Sequence, residues 1–389
     1  MKKNQLLKTL LILIVLGAIA CYLHRDELKK YFAKDDGPSE YLLPEGEIDL
    51  SRVKKVSITS KDKTVTLENN GGWKVVERYG YPVSMDNLDK FITSLCDCKI
   101  IRVLDLSDEL KSEMKLTDDA GAVTVKLMDG DGKDLRTLVC GITHDKESDG
   151  GNMPQGMMMM GGGNMPDGRF ILLPDGRAVL VPDTLYSVDS AVATWLDKDF
   201  FKIGDMKSVE LLDGGQSLWK MARGSKNDDL KLDAPIPDGK ELDTSKISNV
   251  KSAFSWMRFN DVADPVAKPE DIGMNKAKTL VVKDFDGFTF TMTFGAAVGD
   301  KRYLKLEKVE WDGETVRKPA DGEKPEDKAQ LDAEFAAKIK ENQSKAASMN
   351  ETFGKWVYEV GTYSLGNVDH VVGDFFKDKP QEKPAEEKK

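Results

Sequence analysis

Apolar and polar side chains alternate in Val53-Lys54-Lys55-Val56-Ser57-Ile58, the period of a strand with one face inward. Thr64-Val65-Thr66-Leu67 and Trp73-Lys74-Val75-Val76 repeat the pattern after short turns. The period then lengthens. Leu88, Phe91, Ile92 and Leu95 fall at helical spacing, with Ser84 as the cap after Pro82. Strand patterning returns at Val123-Thr124-Val125-Lys126-Leu127-Met128, turns at Asp129-Gly130, and runs to Leu138-Val139-Cys140-Gly141.

The same succession occurs a second time. Met206-Lys207-Ser208-Val209-Glu210-Leu211 and Leu218-Trp219-Lys220-Met221 open it. Ile247, Val250 and Phe254 form the helical face, capped by Asp243 or Thr244. The hairpin Leu280-Val281-Val282-Lys283-Asp284-Phe285-Asp286-Gly287 to Met292-Thr293-Phe294-Gly295 also ends on glycine. Arg169-Phe170-Ile171-Leu172 then matches Arg302-Tyr303-Leu304-Lys305, and Val179-Leu180-Val181 matches Val357-Tyr358-Glu359-Val360. Tyr186-Ser187-Val188 matches Tyr363-Ser364-Leu365, and Asp199-Phe200-Phe201 matches Asp374-Phe375-Phe376.

The expected fold is α+β, with two tandem pseudo-symmetric repeats of mainly antiparallel strands and one or two helices each. The first spans 50–204 and the second 205–376, with the boundary near Gly204-Asp205. Each copy carries an insertion the other lacks. Copy one inserts a Met- and Gly-rich stretch at 144–168; copy two inserts a charged stretch at 308–355. Within the latter, Lys328 to Met349 is rich in Ala, Glu and Lys and predicts a solvated helix. Residues 377–389 read as a disordered tail.

The N-terminus breaks the pattern. Met1 to Gln5 is a short basic start, and Leu6 to Leu23 reads LLKTLLILIVLGAIACYL. This predicts a signal-anchor transmembrane helix at 6–23, with 1–5 as a cytoplasmic tail and 24–49 as a stalk. An alternative exit is open: Ala18-Ile19-Ala20-Cys21 resembles a lipobox, which would leave Cys21 lipidated at a new N-terminus. Plain secretion after signal cleavage is a third exit; in all three cases the rest of the chain is expected outside the cytoplasm, and with the anchor it stands in the periplasm, held to the inner membrane.

Charge narrows the partners. The 389 residues carry a net charge of −10 and no basic cluster, which argues against nucleic acid. Cys96 and Cys98 stand too close in sequence for a comfortable mutual bridge; either one bridges Cys140 or all three stay reduced.

Enzyme motifs are missing from the sequence: no G-x-S-x-G elbow, phosphate-binding loop or H-E-x-x-H occurs, and His24, His144 and His370 are scattered. The paired acids Asp118-Asp119 and Asp228-Asp229 read as solvated turns. No catalytic residue and no cofactor is expected. Trp73, Trp219, Phe91 and Phe254 occupy matching positions and read as core, with a ligand groove between the copies, and so a periplasmic binding module, as the alternative; Tyr186 and Tyr363 read as core with wet hydroxyls.

The stretch NMPQGMMMMGGGNMPDG offers thioether sulfurs from Met153, Met157, Met158, Met159, Met160 and Met165, soft ligands suited to Cu(I). Four consecutive residues of an extended chain point alternately to opposite sides, however, which works against convergence on one ion. An adaptable apolar contact surface and an inserted loop without chemistry are the other readings.

The order of Gly72-Trp73-Lys74-Val75, Tyr81-Pro82-Val83, the Leu88–Leu95 helix, Gly141, Phe170-Ile171-Leu172, Asp183-Thr184-Leu185-Tyr186 and Trp195-Leu196-Asp197-Lys198-Asp199-Phe200 resembles the domain-of-unknown-function family DUF4340. The resemblance covers about residues 50 to 376, once per repeat. It implies a bacterial envelope protein with an N-terminal membrane segment, a scaffold or accessory subunit with envelope protein partners, in some relatives associated with ABC-type transport or gliding systems. It implies no catalytic residues, and both insertions depart from the family pattern.

Overall fold

The computed structural model describes residues 40–44, 49–117, 121–145, 166–319 and 323–379. Antiparallel strands dominate them, as alternation of apolar and polar side chains dictates. In chain order come β1 (Lys55–Ser60), β2 (Lys63–Asn69), β3 (Trp73–Val75), β4 (Tyr81–Pro82), α1 (Met85–Cys96), β5 (Arg102–Leu104), α2 (Asp108–Glu113), β6 (Val123–Met128), β7 (Asp134–Asp145), β8 (Pro166–Leu172) and β9 (Ala178–Val181). After these follow β10 (Met206–Asp213), β11 (Gln216–Ala222), β12 (Lys231–Leu232), β13 (Lys240–Leu242), α3 (Thr244–Ser252), β14 (Asp261–Val262), β15 (Lys278–Asp284), β16 (Phe288–Phe294) and β17 (Lys301–Trp311). The last elements are α4 (Lys328–Phe353), β18 (Val357–Gly361), α5 (Thr362–Gly366) and β19 (Phe376–Asp378). The architecture is α+β, mostly antiparallel sheet with a few helices.

The chain divides into two compact units. One holds the described residues up to Lys63 together with Asp89–Ser190; the other holds Thr64–Leu88 together with those from Ala191 onward. In the first unit the strands run in the order β1-β6-β7-β8-β9-β5. Val56 and Ile58 of β1, Val125 and Leu127 of β6 and all four residues of β9 are buried. Residues 40–43, within the stretch expected to be a stalk, already belong to this unit. Leu42 and Leu43 are buried, Leu42 N–H donates to Cys98 O at 3.0 Å, and Arg177 grips the Glu40 carboxylate through both terminal nitrogens.

In the second unit an eight-stranded sheet runs β12-β11-β10-β15-β16-β17-β18-β14. β16 shows the rule most plainly: Phe288, Phe290, Met292 and Phe294 point inward, and Thr289, Thr291 and Thr293 alternate with them. Residues 64–88 join this unit through Arg78, whose guanidinium forks onto Asp261 at 2.5 and 2.7 Å, and through Tyr81. The Tyr81 ring meets Phe259, Trp356 and Tyr358 edge-on. The expected charged helix is α4, whose Asn350 side chain bonds Val309 N at 2.7 Å and Val309 O at 2.8 Å on β17. β19 pairs with β13 and carries strand structure two residues past Phe376, where Lys377 meets Glu241 and Asp378 meets Lys240.

Both hairpins that end on glycine do so for a steric reason. A Cβ on Gly141 would lie 2.2 Å from Met114 O, and one on Gly295 would lie 2.7 Å from Gly273 O. The next residue in each case bonds that same carbonyl: Ile142 N–H reaches Met114 O at 2.9 Å, and Ala296 N–H reaches Gly273 O at 3.0 Å. Backbone meets backbone too closely there for any side chain.

Candidate functional site

A cavity of about 560 Å³ opens in the second unit. The β10–β11 turn, the segment entering β15, the end of β16, the start of β17 and Asp369 enclose it. Arg302 is among the residues that line it. Alternation along β17 turns Arg302, Leu304 and Leu306 to the core face, so a guanidinium occupies an inward position and is only 9% exposed. A charge placed there needs a partner. Asp369, after α5, supplies it: Oδ2 accepts from Arg302 Nη2, and Oδ1 accepts from Lys278 Nζ at 2.6 Å. Burial works against the Asp369 charge, but the hydrogen bonds from Arg302 and Lys278 outweigh it and hold the carboxyl below its usual range. The guanidinium also lies over the Phe294 ring, 5.6 Å from its centroid. Arg302 Nε is buried and has no acceptor among the described residues.

A second cavity, of about 440 Å³, lies in the first unit and includes Arg169, Gly141, Cys140 and Tyr186. Arg169 is the residue the sequence matches to Arg302, yet its bonds differ. Its Nε donates to Gly141 O at 2.9 Å and its Nη1 to Thr184 O and Leu185 O at 3.3 Å. Backbone carbonyls take up Arg169, whereas the Arg302 side chain bonds only Asp369 among the described residues.

The residues singled out by patterning fare differently from one another when placed on the fold. Met153, Met157, Met158, Met159, Met160 and Met165 lie outside the described residues, as do the 6–23 segment, Cys21 and Asp118-Asp119. No helix among the described residues is long and apolar enough to cross a membrane, and no group of three or more His, Cys, Asp or Glu among them could hold a metal ion. At the base of the Met-rich insertion His144 Nδ1 sits 2.8 Å from Asp167 Oδ1. Asp229 pairs with Lys251 at 3.2 Å in an exposed turn. Phe91, Phe254 and Trp219 are buried, and Trp219 Nε1 donates to His370 O at 2.9 Å; Trp73 is only half-buried. Tyr186 and Tyr363 depart from the core reading altogether, at 74% and 82% exposed. Tyr363 is the second residue of the one-turn helix α5, and it is Leu365 there that turns inward.

Sequence patterning passed over Arg302, Lys278 and Asp369. The signal to follow was the charge at an inward position of Lys301-Arg302-Tyr303-Leu304-Lys305-Leu306, which calls for a buried counter-ion elsewhere.

Cys96, Cys98 and Cys140 are free thiols. Burial pushes Cys98 up to about 12, with Asp183 and Cys140 adding to the effect. Burial likewise pushes Cys140 up to about 11, against a smaller opposing pull from Arg169. The thiolate is the reactive form, so iodoacetamide at pH 7.5 is expected to label both at least about a hundredfold more slowly in the folded protein than in urea. Peptide mass spectrometry over a time course measures this, and rapid native labelling of Cys98 or Cys140 contradicts it.

A family model described as "Domain of unknown function (DUF4340)" matches residues 73–277. No curated protein and no solved structure matches the chain.

Proposed function

The chain belongs to the DUF4340 family, and from that footing we propose that it is a non-enzymatic, membrane-anchored extracytoplasmic scaffold or accessory protein of an envelope complex, of the kind that serves ABC-type transport. In this reading residues 6–23 form the anchor, and 50–204 and 205–376 are two copies of one α+β design. The strand orders support the duplication: β1-β6-β7-β8-β9-β5 and β10-β15-β16-β17-β18-β14 correspond strand for strand. Gly141 and Gly295, each pressed on a carbonyl that the following residue bonds, support it at atomic detail.

The observation that carries a contact role is the pair Tyr186 and Tyr363. They hold matching sequence positions, and both rings stand in solvent. An aromatic ring left exposed contributes little to folding, while tyrosine is among the residues that anchor protein interfaces. Photocrosslinking residues placed at 186 and 363 of the full-length protein in native membranes test this. The expected result is a discrete adduct with one envelope protein from each position, and none from exposed Lys63. Recovery of the uncrosslinked monomer alone from both positions would sink the scaffold reading.

A further inference from the structure

We propose that the cavity around Arg302 is a binding site for a small organic monocarboxylate, its charge held by Arg302 and Lys276 and its apolar body lying along Phe294, Ala277 and Ala296.

Arg302 is nine-tenths buried, and its only side-chain hydrogen bond among the described residues runs from Nη2 to Asp369. Its Nε–H is buried without an acceptor. A buried donor left unpaired is costly, and native structures pair nearly all of them. Arg169 shows what the alternative looks like, since the Gly141 carbonyl satisfies its Nε at 2.9 Å. At Arg302 none of the described residues supplies such a carbonyl, and the side chain also lines a cavity.

Charge sets the class of ligand. Three cations, Lys276, Lys278 and Arg302, face two carboxylates, Asp213 and Asp369, around the cavity. Asp369 is committed through both oxygens to Lys278 and Arg302. One positive charge is left over, and Lys276 is exposed with no partner among the described residues. A single negative charge balances the site; a dianion would meet Asp213 unopposed. A planar carboxylate matches the fork of a guanidinium. The volume of about 560 Å³ lies within the range of small-ligand sites, and the apolar wall gives an apolar body something to cover.

Calorimetric titration of the full-length protein in carboxylate-free buffer tests the assignment, with phenylacetate as the probe and inorganic phosphate and phenethylamine as comparators. Phenylacetate is expected to bind saturably, and both comparators at least about tenfold more weakly. Lys276→Gln, which alters an exposed side chain, is expected to weaken phenylacetate roughly threefold. Arg302→Lys keeps the charge but removes the planar guanidinium and is expected to weaken it about tenfold or more. Should Arg302→Lys fail to fold, Lys276→Gln still decides. Absence of saturable phenylacetate binding, phosphate binding as tight, or identical affinity in Lys276→Gln each overturns the proposal.

Discussion

Replacing Asp369 with alanine is expected to destabilise the second unit by about 3 kcal/mol, the lower end of the cost of leaving buried ion partners alone. The lower end applies because Lys278 remains 28% exposed at its side chain and can turn toward water, whereas Arg302 at 10% cannot. Thermal unfolding should move down by roughly 6–12 °C for a unit of this size. Asp369→Asn keeps one acceptor oxygen and should lie between the two. The acid limb gives a second readout. Asp369 has a folded pKa below that of the unfolded chain, so its contribution is fully present above the ordinary carboxylate range. As the pH falls below that range, the unfolded chain takes up the proton first, and the contribution is lost on the way down through the depressed folded value. Asp369→Ala should therefore flatten the drop in stability below about pH 4. A variant melting within about 1 °C of the parent, with an unchanged acid limb, would show that the cluster does not hold the unit together.

Local features of the fold were legible because their causes are local. The inward Phe288, Phe290, Met292 and Phe294 can be read from spacing alone, and so can the helix that begins after Asp243, whose carboxylate accepts from Ser245 N and Lys246 N. The long charged helix follows from composition. What patterning could not supply is pairing across distance. Arg302 and Asp369 stand 67 positions apart, and Arg78 and Asp261 stand 183 apart. Spacing along a chain carries no record of either meeting. Nor could it distinguish the two matched arginines, since one is satisfied by backbone carbonyls whose identity the side-chain sequence does not encode. Tyr186 and Tyr363 depart from the core reading because each follows a strand with buried residues, and the turn at Tyr186 and the one-turn helix at Tyr363 are too short for a periodicity to be read.

Gly141→Val is expected to cost about 3 kcal/mol or more, at the upper end of what overpacking brings. The backbone here is not in a left-handed conformation, so strain in φ plays no part; the whole effect is space. A Cβ would stand 2.2 Å from Met114 O and 2.9 Å from Leu116 Cδ2. The side chain of Leu116 can rotate, but a carbonyl fixed by its neighbours cannot, so the strand must withdraw by roughly 1 Å. Withdrawal also stretches the 2.9 Å bond from Ile142 N–H to that carbonyl, and one buried hydrogen bond is worth about 1 kcal/mol. Gly295→Val should act alike through Gly273, at contacts of 2.7 and 2.8 Å, though less severely because the starting approach is looser. Gly204→Ala supplies the control: nothing lies within 4 Å of its Cβ, and it should change stability by less than about 0.5 kcal/mol. Urea unfolding of the three variants ranks them. Were Gly141→Val to unfold at the urea concentration of Gly204→Ala, close backbone approach would no longer explain why both hairpins end on glycine, and the atomic support for the two copies would fall with it.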